Sequence, residues 1–308
     1  MMKRPVVLDC YPGHDDVVAI LLAHRFTDLR AVTTVSGNAP LDRTTHNALV
    51  ALSLLGADVP VSPGASRPLV VEPYHFPQIH GDSGLAGPDL PDPRRGPETM
   101  NAVECLLAES RTTDGLWIVA TGPLTNVALA LRADPALGRR LGGISIMGGG
   151  LDFGNVTPGA EYNIWADPEA AAVVFESGVP LVMCPLDVTH RVLVGAEFIA
   201  RVAAAGTALA RFMADLFGHF AEAYAEVFFE DALGPLHDPC AVLALTHPEL
   251  FEFREFAIEV LTGGAGRGMT VADRRGVKGA RRPNASVAVG VKASDILDIV
   301  ADSIVVLG

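Results

Sequence analysis

The segment Asp9-Cys10-Tyr11-Pro12-Gly13-His14-Asp15-Asp16 gathers three acids around a Pro-Gly turn, with a tyrosine among them. Asp15 and Asp16 open a helical pattern (Val17, Val18, Ile20, Leu21), where acids can cap orphan amides and complement the helix dipole, or serve a functional site. Asp9 and Tyr11 lie two residues apart at the end of an apolar strand, so their side chains share a face. Four other clusters carry polar chemistry. Thr33 to Asn38 ends a strand in small polar residues, although Asn38 after Gly37 also suits a turn hydrogen bond. Ala120 to Asn126 offers main-chain carbonyls, hard oxygens of the kind calcium accepts. Met147 to Gly150, followed by Asn155, Glu161, Asn163 and Asp167, combines a glycine-rich strand end with groups suited to polyhydroxyl ligands. Finally, His237-Asp238-Pro239 opens an apolar helix, where a His-Asp pair also makes a cap.

These clusters need elements to hold them. Apolar runs at Val6 to Leu8, Leu29 to Val35, Leu116 to Ala120, Ile144 to Met147 and Val179 to Met183 alternate with helical patterns. That alternation predicts βαβ units and a largely parallel sheet. Ligands bind at the strand-to-helix turns of such sheets, where most of the clusters fall. Helices are expected at Asp15–Phe26, Asp42–Leu55, Ala102–Ser110, Leu124–Arg132 and Pro168–Glu176, the last with Asp167 as N-cap and Pro168 at its first position. After about Asp187 the pattern changes to helical stretches through Ala196 to Phe229 and Asp238 to Leu245. Sequence rich in β-formers follows from Phe256 to Val291, then a helix near Ser294 to Ser303. Gly81 to Pro97 is expected to be a long surface loop able to cover a site.

Composition narrows the function classes. The 308 residues are 49% apolar with no linker between blocks, which predicts a single domain over residues 1–308. A net charge of −13 repels phosphate backbones and acidic membrane surfaces, so nucleic acid and membrane are not expected partners. No apolar run reaches the ~18 residues of a membrane span, and no secretory leader pattern opens the chain, so the expected location is cytoplasmic. Cys10, Cys105, Cys184 and Cys240 have no metal-ligand spacing and are expected to be buried thiols.

Taken in order, the motifs resemble the nucleoside hydrolase family of inosine-uridine type, whose opening motif usually reads Asp-x-Asp-Pro-Gly-x-Asp-Asp. The resemblance rests on that turn, on Ser36-Gly37-Asn38, Ile79-His80-Gly81, Thr121 to Asn126 and Met147 to Gly150, on Asn163 with Asp167 to Ala170, and on His237 to Cys240. It implies an α/β nucleoside hydrolase fold: an open, mainly parallel, Rossmann-like sheet flanked by helices, with helical and β-rich C-terminal additions. It also implies hydrolysis of the N-glycosidic bond of ribonucleosides with a bound calcium ion that holds the attacking water and the ribose diol. Asp16, Asp238 and the Thr121 carbonyl would be metal ligands; Asp15, Asn38, Asn155, Glu161 and Asn163 would hold ribose hydroxyls. His80 and His237 would lie near the base, with His237 able to protonate it. Family members are commonly dimers or tetramers, so a homo-oligomer is expected.

Tyr11 departs from the family pattern. It stands where the second aspartate would touch calcium and serve as general base. A phenol with a pKa near ~10 is a neutral, poor calcium ligand at pH 7, and loss of a general base costs ~100- to 10,000-fold in rate. The expectation is therefore an impaired hydrolase, in which Asp9 would have to reach past the ring, or Asp15 leave the ribose, to replace the missing acid. The alternative is a catalytically silent nucleoside- or ribose-binding protein. A phosphatase built on an Asp-x-Asp turn fits less well, because Tyr11 removes the second acid there too. Around the base, the loop Tyr74 to Gly87 and the residues His219, Tyr224 and Phe228 are pocket candidates, and suit the core equally well.

Overall fold

The computed structural model describes residues 3–227, 231–277 and 281–308. Its first part supplies β1 (Pro5–Cys10), β2 (Asp28–Thr34), β3 (Val61–Pro63), β4 (Trp117–Ala120), β5 (Gly143–Met147) and β6 (Leu181–Cys184). They form one side of an eight-stranded sheet in the order β3-β2-β1-β4-β5-β6, all in parallel. Ala285–Val291 then pairs in parallel with β6, and Phe251–Phe256 closes the edge antiparallel.

Burial follows from this architecture. A parallel sheet covered on both faces needs apolar residues on both sides of each strand. In β1, Val6, Leu8 and Cys10 enter one apolar cluster while Val7 enters the other. On the first face the helices His14–Phe26 and Asp238–Thr246 pack against each other, with Val17 to Ala23 and Pro239 to Leu245 all buried. The strand order runs outward from β1 in one direction and from β4 in the other. Their carboxyl ends therefore border a switch point, where a crevice opens. Tyr11 follows β1 directly, and Thr121 follows β4.

The later chain differs from expectation in detail. The Ala196 to Phe229 stretch holds two helices, Ala196–Ala203 and Ala208–Val227, interrupted at Gly206, whose φ of 71° lies in the left-handed region that favours glycine. Phe228 and Phe229 lie outside the described residues. The β-rich segment contains a small antiparallel pair, Ile258–Val260 with Thr270–Ala272, and the last helix runs longer than expected, Ala293–Leu307. A two-residue ribbon, Leu193–Val194 with Gly234–Pro235, has too short a pattern to be read from sequence. Gly81 to Pro97 has no helix or strand, but it is not wholly a surface loop. Leu85 is buried in the core, and Asn47 donates to the Ser83 carbonyl. All four cysteines are buried and unpaired. Among the described residues, no helix is long and apolar enough to cross a membrane.

Candidate active site

Two helix starts bring the acids together. Asp15 and Asp16 occupy the first turn of His14–Phe26, and Asp238 the first turn of Asp238–Thr246, so both helix dipoles favour negative charge at one point. One ligand oxygen from each of Asp15, Asp16 and Asp238 lies within 4.8 Å of the others. Thr121 Oγ1 donates to Asp16 Oδ1 at 2.7 Å, and the Gly13 amide donates to Oδ2 at 3.1 Å. Gly13 must be small here, because a Cβ would lie 2.7 Å from both Asn38 Nδ2 and His80 Nδ1. Burial, and for Asp15 and Asp238 the neighbouring carboxylates as well, hold all three acids above the usual carboxylate range. Three buried carboxylates this close stay ionised only with compensating positive charge.

The neighbouring atoms suit a hard cation. Asp238 Oδ2 and Asn163 Oδ1 are buried and have no hydrogen-bond partner among the described residues. Asn163 spends its amide hydrogens on the carbonyls of Thr121 and Met147, at 2.8 and 3.0 Å, which turns its own oxygen outward from that pair. Carboxylate, carboxamide and main-chain carbonyl oxygens are the donor set calcium takes. Asp16 and Asp238, expected as ligands, thus sit together, with Thr121 beside them through its hydroxyl on Asp16, while its carbonyl accepts from Asn163. Asp15, expected to hold ribose, belongs to the same acidic cluster.

Beside this cluster lies a cavity walled by polar and aromatic side chains. Tyr11, Asp15, Asn38, His80, Asn155, Glu161, His237 and Asp238 line it, and Asp16, Thr121 and Asn163 are not part of the lining. Asn155 accepts the Tyr162 amide with Oδ1, leaving its own NH₂ group for other partners. The Glu161 carboxylate caps the short helix Tyr162–Ala166 by accepting amides from Gly149, Asn163 and Ile164, and burial lifts its pKa to about 7. Asp9 does not reach the cavity. Its Oδ1 accepts from Thr33 and Asn126 at 2.6 and 2.8 Å, and burial raises it to about 6, so it is held in the sheet rather than reaching past Tyr11.

Tyr11 is built into the wall. A Cβ on Gly37 would come within 2.3 Å of its ring from one side, and one on Gly122 within 2.5 Å from another, so two glycines form its slot. Its ring sits 6.1 Å from that of Tyr162 in a small apolar cluster with Val35 and Ala166. Burial, then the carboxylates of Asp238, Asp16 and Asp15, push its hydroxyl well above its ordinary value. It is a neutral phenol at any physiological pH.

His237 is likewise buried. Its Nδ1 lies 2.7 Å from Thr189 Oγ1 and its Nε2 3.2 Å from the Tyr224 hydroxyl, and desolvation, then His190 and His80, lower its pKa well below 6.5. The ring is neutral and has one N–H to donate. Phe76, Ile79, Met147, Val156, Tyr162 and Phe220 complete the lining; Phe76 and Ile79 fall in the Tyr74 to Gly87 loop expected near the base and Met147 opens the glycine-rich run, whereas nothing in the sequence marked Val156 or Phe220. Apolar residues in apolar segments carry no mark separating wall from core. Tyr224, a pocket candidate, does line the cavity; His219 instead stacks on His14. His14 had no expected role, and only its contact with His80, 66 positions away, could reveal one.

A sequence profile described as inosine-uridine preferring nucleoside hydrolase matches residues 6–298. The chain is 43% identical to the pyrimidine-specific ribonucleoside hydrolase RihA of Shewanella woodyi, across 98% of both chains. It is also 43% identical to the protein of the same name from Citrobacter koseri, again across 98% of both. Among solved structures it is similar to a purine-preferring ribonucleoside hydrolase from Gardnerella vaginalis, with a TM-score of 0.93, 31% identity and 99% of both chains covered. A plant nucleoside hydrolase gives a TM-score of 0.91 at 30% identity, covering 98% of this chain and 99% of the other.

Proposed function

The chain belongs to the inosine-uridine preferring nucleoside hydrolase family, and we propose that it hydrolyses the N-glycosidic bond of ribonucleosides slowly, with calcium held at Asp15, Asp16 and Asp238. The observation that carries this reading is one cavity whose lining combines acids and amides with aromatic rings. Relatives named pyrimidine-specific favour uridine and cytidine as substrates.

In this reading the reaction adds water across the C1′–N bond: the water oxygen bonds to C1′, the N-glycosidic electrons leave with the base, and the base takes up a proton. Positive charge builds on the ribose ring, and Asp15 and Glu161 at the cavity wall stabilise it electrostatically. Asn38 and Asn155 orient the hydroxyls by hydrogen bonding. When bound, the ion offsets the charge of the carboxylates and supplies Lewis acidity towards water and the ribose diol. Asp15 lines the cavity, so it takes over the proton that an aspartate at position 11 would receive. His237, a neutral ring, gives the leaving base a hydrogen bond from its single N–H, and the proton that the base takes up comes from solvent.

Tyr11 favours a second reading, binding without turnover, because a neutral phenol stands at the general-base position. Ribose release separates the two. With calcium and uridine, cytidine or inosine, native protein should release ribose faster than the Asp238→Ala protein. Equal release from both, with calorimetric binding retained by the native protein, would replace hydrolysis with the binding reading.

A further inference from the structure

The cavity wall that carries Asn155 and Glu161 has no ladder of its own. From Gly148 to Gly159 the chain forms neither helix nor strand, so its buried main-chain groups need partners elsewhere in the fold. The segment Arg267 to Thr270 supplies several of them. Thr270 is buried, and its hydroxyl donates to the Gly150 carbonyl at 2.7 Å while accepting the Gly150 amide at 3.0 Å, across 120 positions of sequence. Met269 pairs with Ala160 in an isolated antiparallel bridge, and Arg267 donates to the Trp165 carbonyl at 2.8 Å. The approach is close. A Cβ on Gly268 would lie 2.6 Å from Trp165 Cα, and one on Gly159 would lie 2.5 Å from Met269 Cε.

Each of these contacts lies one step from a cavity residue. The Ala160 carbonyl accepts the amides of Asn155 and Val156, both at 3.1 Å. Gly149, next to Gly150, donates its amide to the Glu161 carboxylate at 2.8 Å, and the Trp165 amide donates to the Glu161 carbonyl at 2.8 Å. Arg267, Gly268, Met269 and Thr270 themselves are not part of the lining. The strand that Thr270 opens is anchored in turn: it pairs with Ile258–Val260, and Asn284 accepts the Ile258 amide at 2.8 Å and donates to the Ile258 carbonyl at 3.0 Å. We propose that Thr270 is a positioning residue which, with Met269 and Arg267, sets where Asn155 and Glu161 stand and so the affinity for the sugar of a bound nucleoside. Identifying the ligand as a nucleoside rests on the function proposed above; the positioning does not. A hydroxyl can satisfy the amide and the carbonyl of Gly150 at once, whereas a methyl group of the same shape strands both in a buried site.

Amide hydrogen exchange of the full-length protein at saturating calcium tests the positioning without any nucleoside. In Thr270→Val the amides of Gly149 and Ile164, both donors to Glu161, should exchange about tenfold faster than in native protein, the scale of one neutral hydrogen bond, while those of Leu21 and Leu22 in the first helix keep their rates. Thr270→Ser, which keeps the hydroxyl, should restore native exchange. Native rates at Gly149 and Ile164 in Thr270→Val overturn the proposal. Should Thr270→Val not fold, Arg267→Ala, which releases the Trp165 carbonyl at a half-buried position, should speed exchange at the Trp165 amide, and an unchanged rate there overturns the proposal equally. The ligand arm measures uridine binding by calorimetry, again at saturating calcium. Thr270→Val should bind uridine about tenfold more weakly than native protein and Thr270→Ser about equally. Asn101→Ala, which removes a helix cap among residues that do not line the cavity, should also bind like native protein, which separates positioning from a general loss of stability. Equal uridine affinity in native and Thr270→Val overturns the link to the ligand. If native protein binds no uridine, the nucleoside reading fails, while exchange at Gly149 and Ile164 still decides the positioning.

Discussion

A phenol at position 11 removes a negative charge, a proton acceptor and a metal ligand together, and adds a ring that the backbone must house. Tyr11→Asp should restore the first three. We expect higher calcium content by metal analysis and ribose release raised by roughly tenfold or more. Equal or lower release would mean that Tyr11 belongs to a working mechanism. The ring's housing predicts a second effect. Gly37→Ala puts a methyl group 2.3 Å from a ring atom of Tyr11, and overpacking of this kind costs ~1–3 kcal/mol. In a Tyr11→Ala background the clash has nothing to meet, so the cost should largely vanish. Urea unfolding of the four proteins forms a double-mutant cycle, and additive costs would show that the slot does not depend on the ring.

Elements place these residues through a few polar fasteners at strand and helix ends. Asp167 is one. Its Oδ1 accepts the Ala170 amide and caps the helix Pro168–Phe175, while Oδ2 accepts the Thr125 hydroxyl at 2.6 Å and the Leu69 amide at 2.9 Å. Asp167→Ala removes a cap and strands two further donors, so it should cost about 2–4 kcal/mol by urea unfolding, with Asp167→Asn costing less. A loss below about 0.5 kcal/mol would show that water replaces those bonds. This cap was legible in the sequence, as were the main strands, because Asp-Pro-Glu and apolar runs between helical patterns are local signals. The acidic cluster was legible only in part. Asp16 and Asp238 were expected to meet, but Asp15 joins them because both helix starts converge on one point, which no local pattern encodes. Part of the apolar wall stayed hidden for another reason. Val156 and Phe220 sit in segments where an apolar residue predicts burial, and burial describes a pocket wall as well as a core. The break at Gly206 was missed because helical periodicity continues on both sides of it.

At the scale of the whole molecule, charge ties stability to pH and to the cation. The net charge of −13 already opposes compaction through self-repulsion. The buried acids add a term of the same sign. Asp9 is raised to about 6 and Glu161 to about 7, both by burial, and Asp15, Asp16 and Asp238 are raised as well. An acid whose folded pKa exceeds its unfolded value of about 4 favours the fold while protonated. That contribution is complete below about pH 4 and is lost as pH rises towards about 7. Chelator-treated protein should therefore unfold at lower urea concentration at about pH 8 than at about pH 5.5, by an amount on the order of a few kcal/mol. Calcium should act in the opposite sense. As a ligand of the ionised cluster in the folded state alone, it should add about 2.7 kcal/mol at a concentration 100-fold above its dissociation constant. Its effect should be largest at about pH 8 and fade as protons compete for Asp15, Asp16 and Asp238. Urea midpoints at the two pH values, with and without calcium, check both signs. A calcium effect that is unchanged at the lower pH, or that survives in Asp238→Ala, would place the ion away from this cluster.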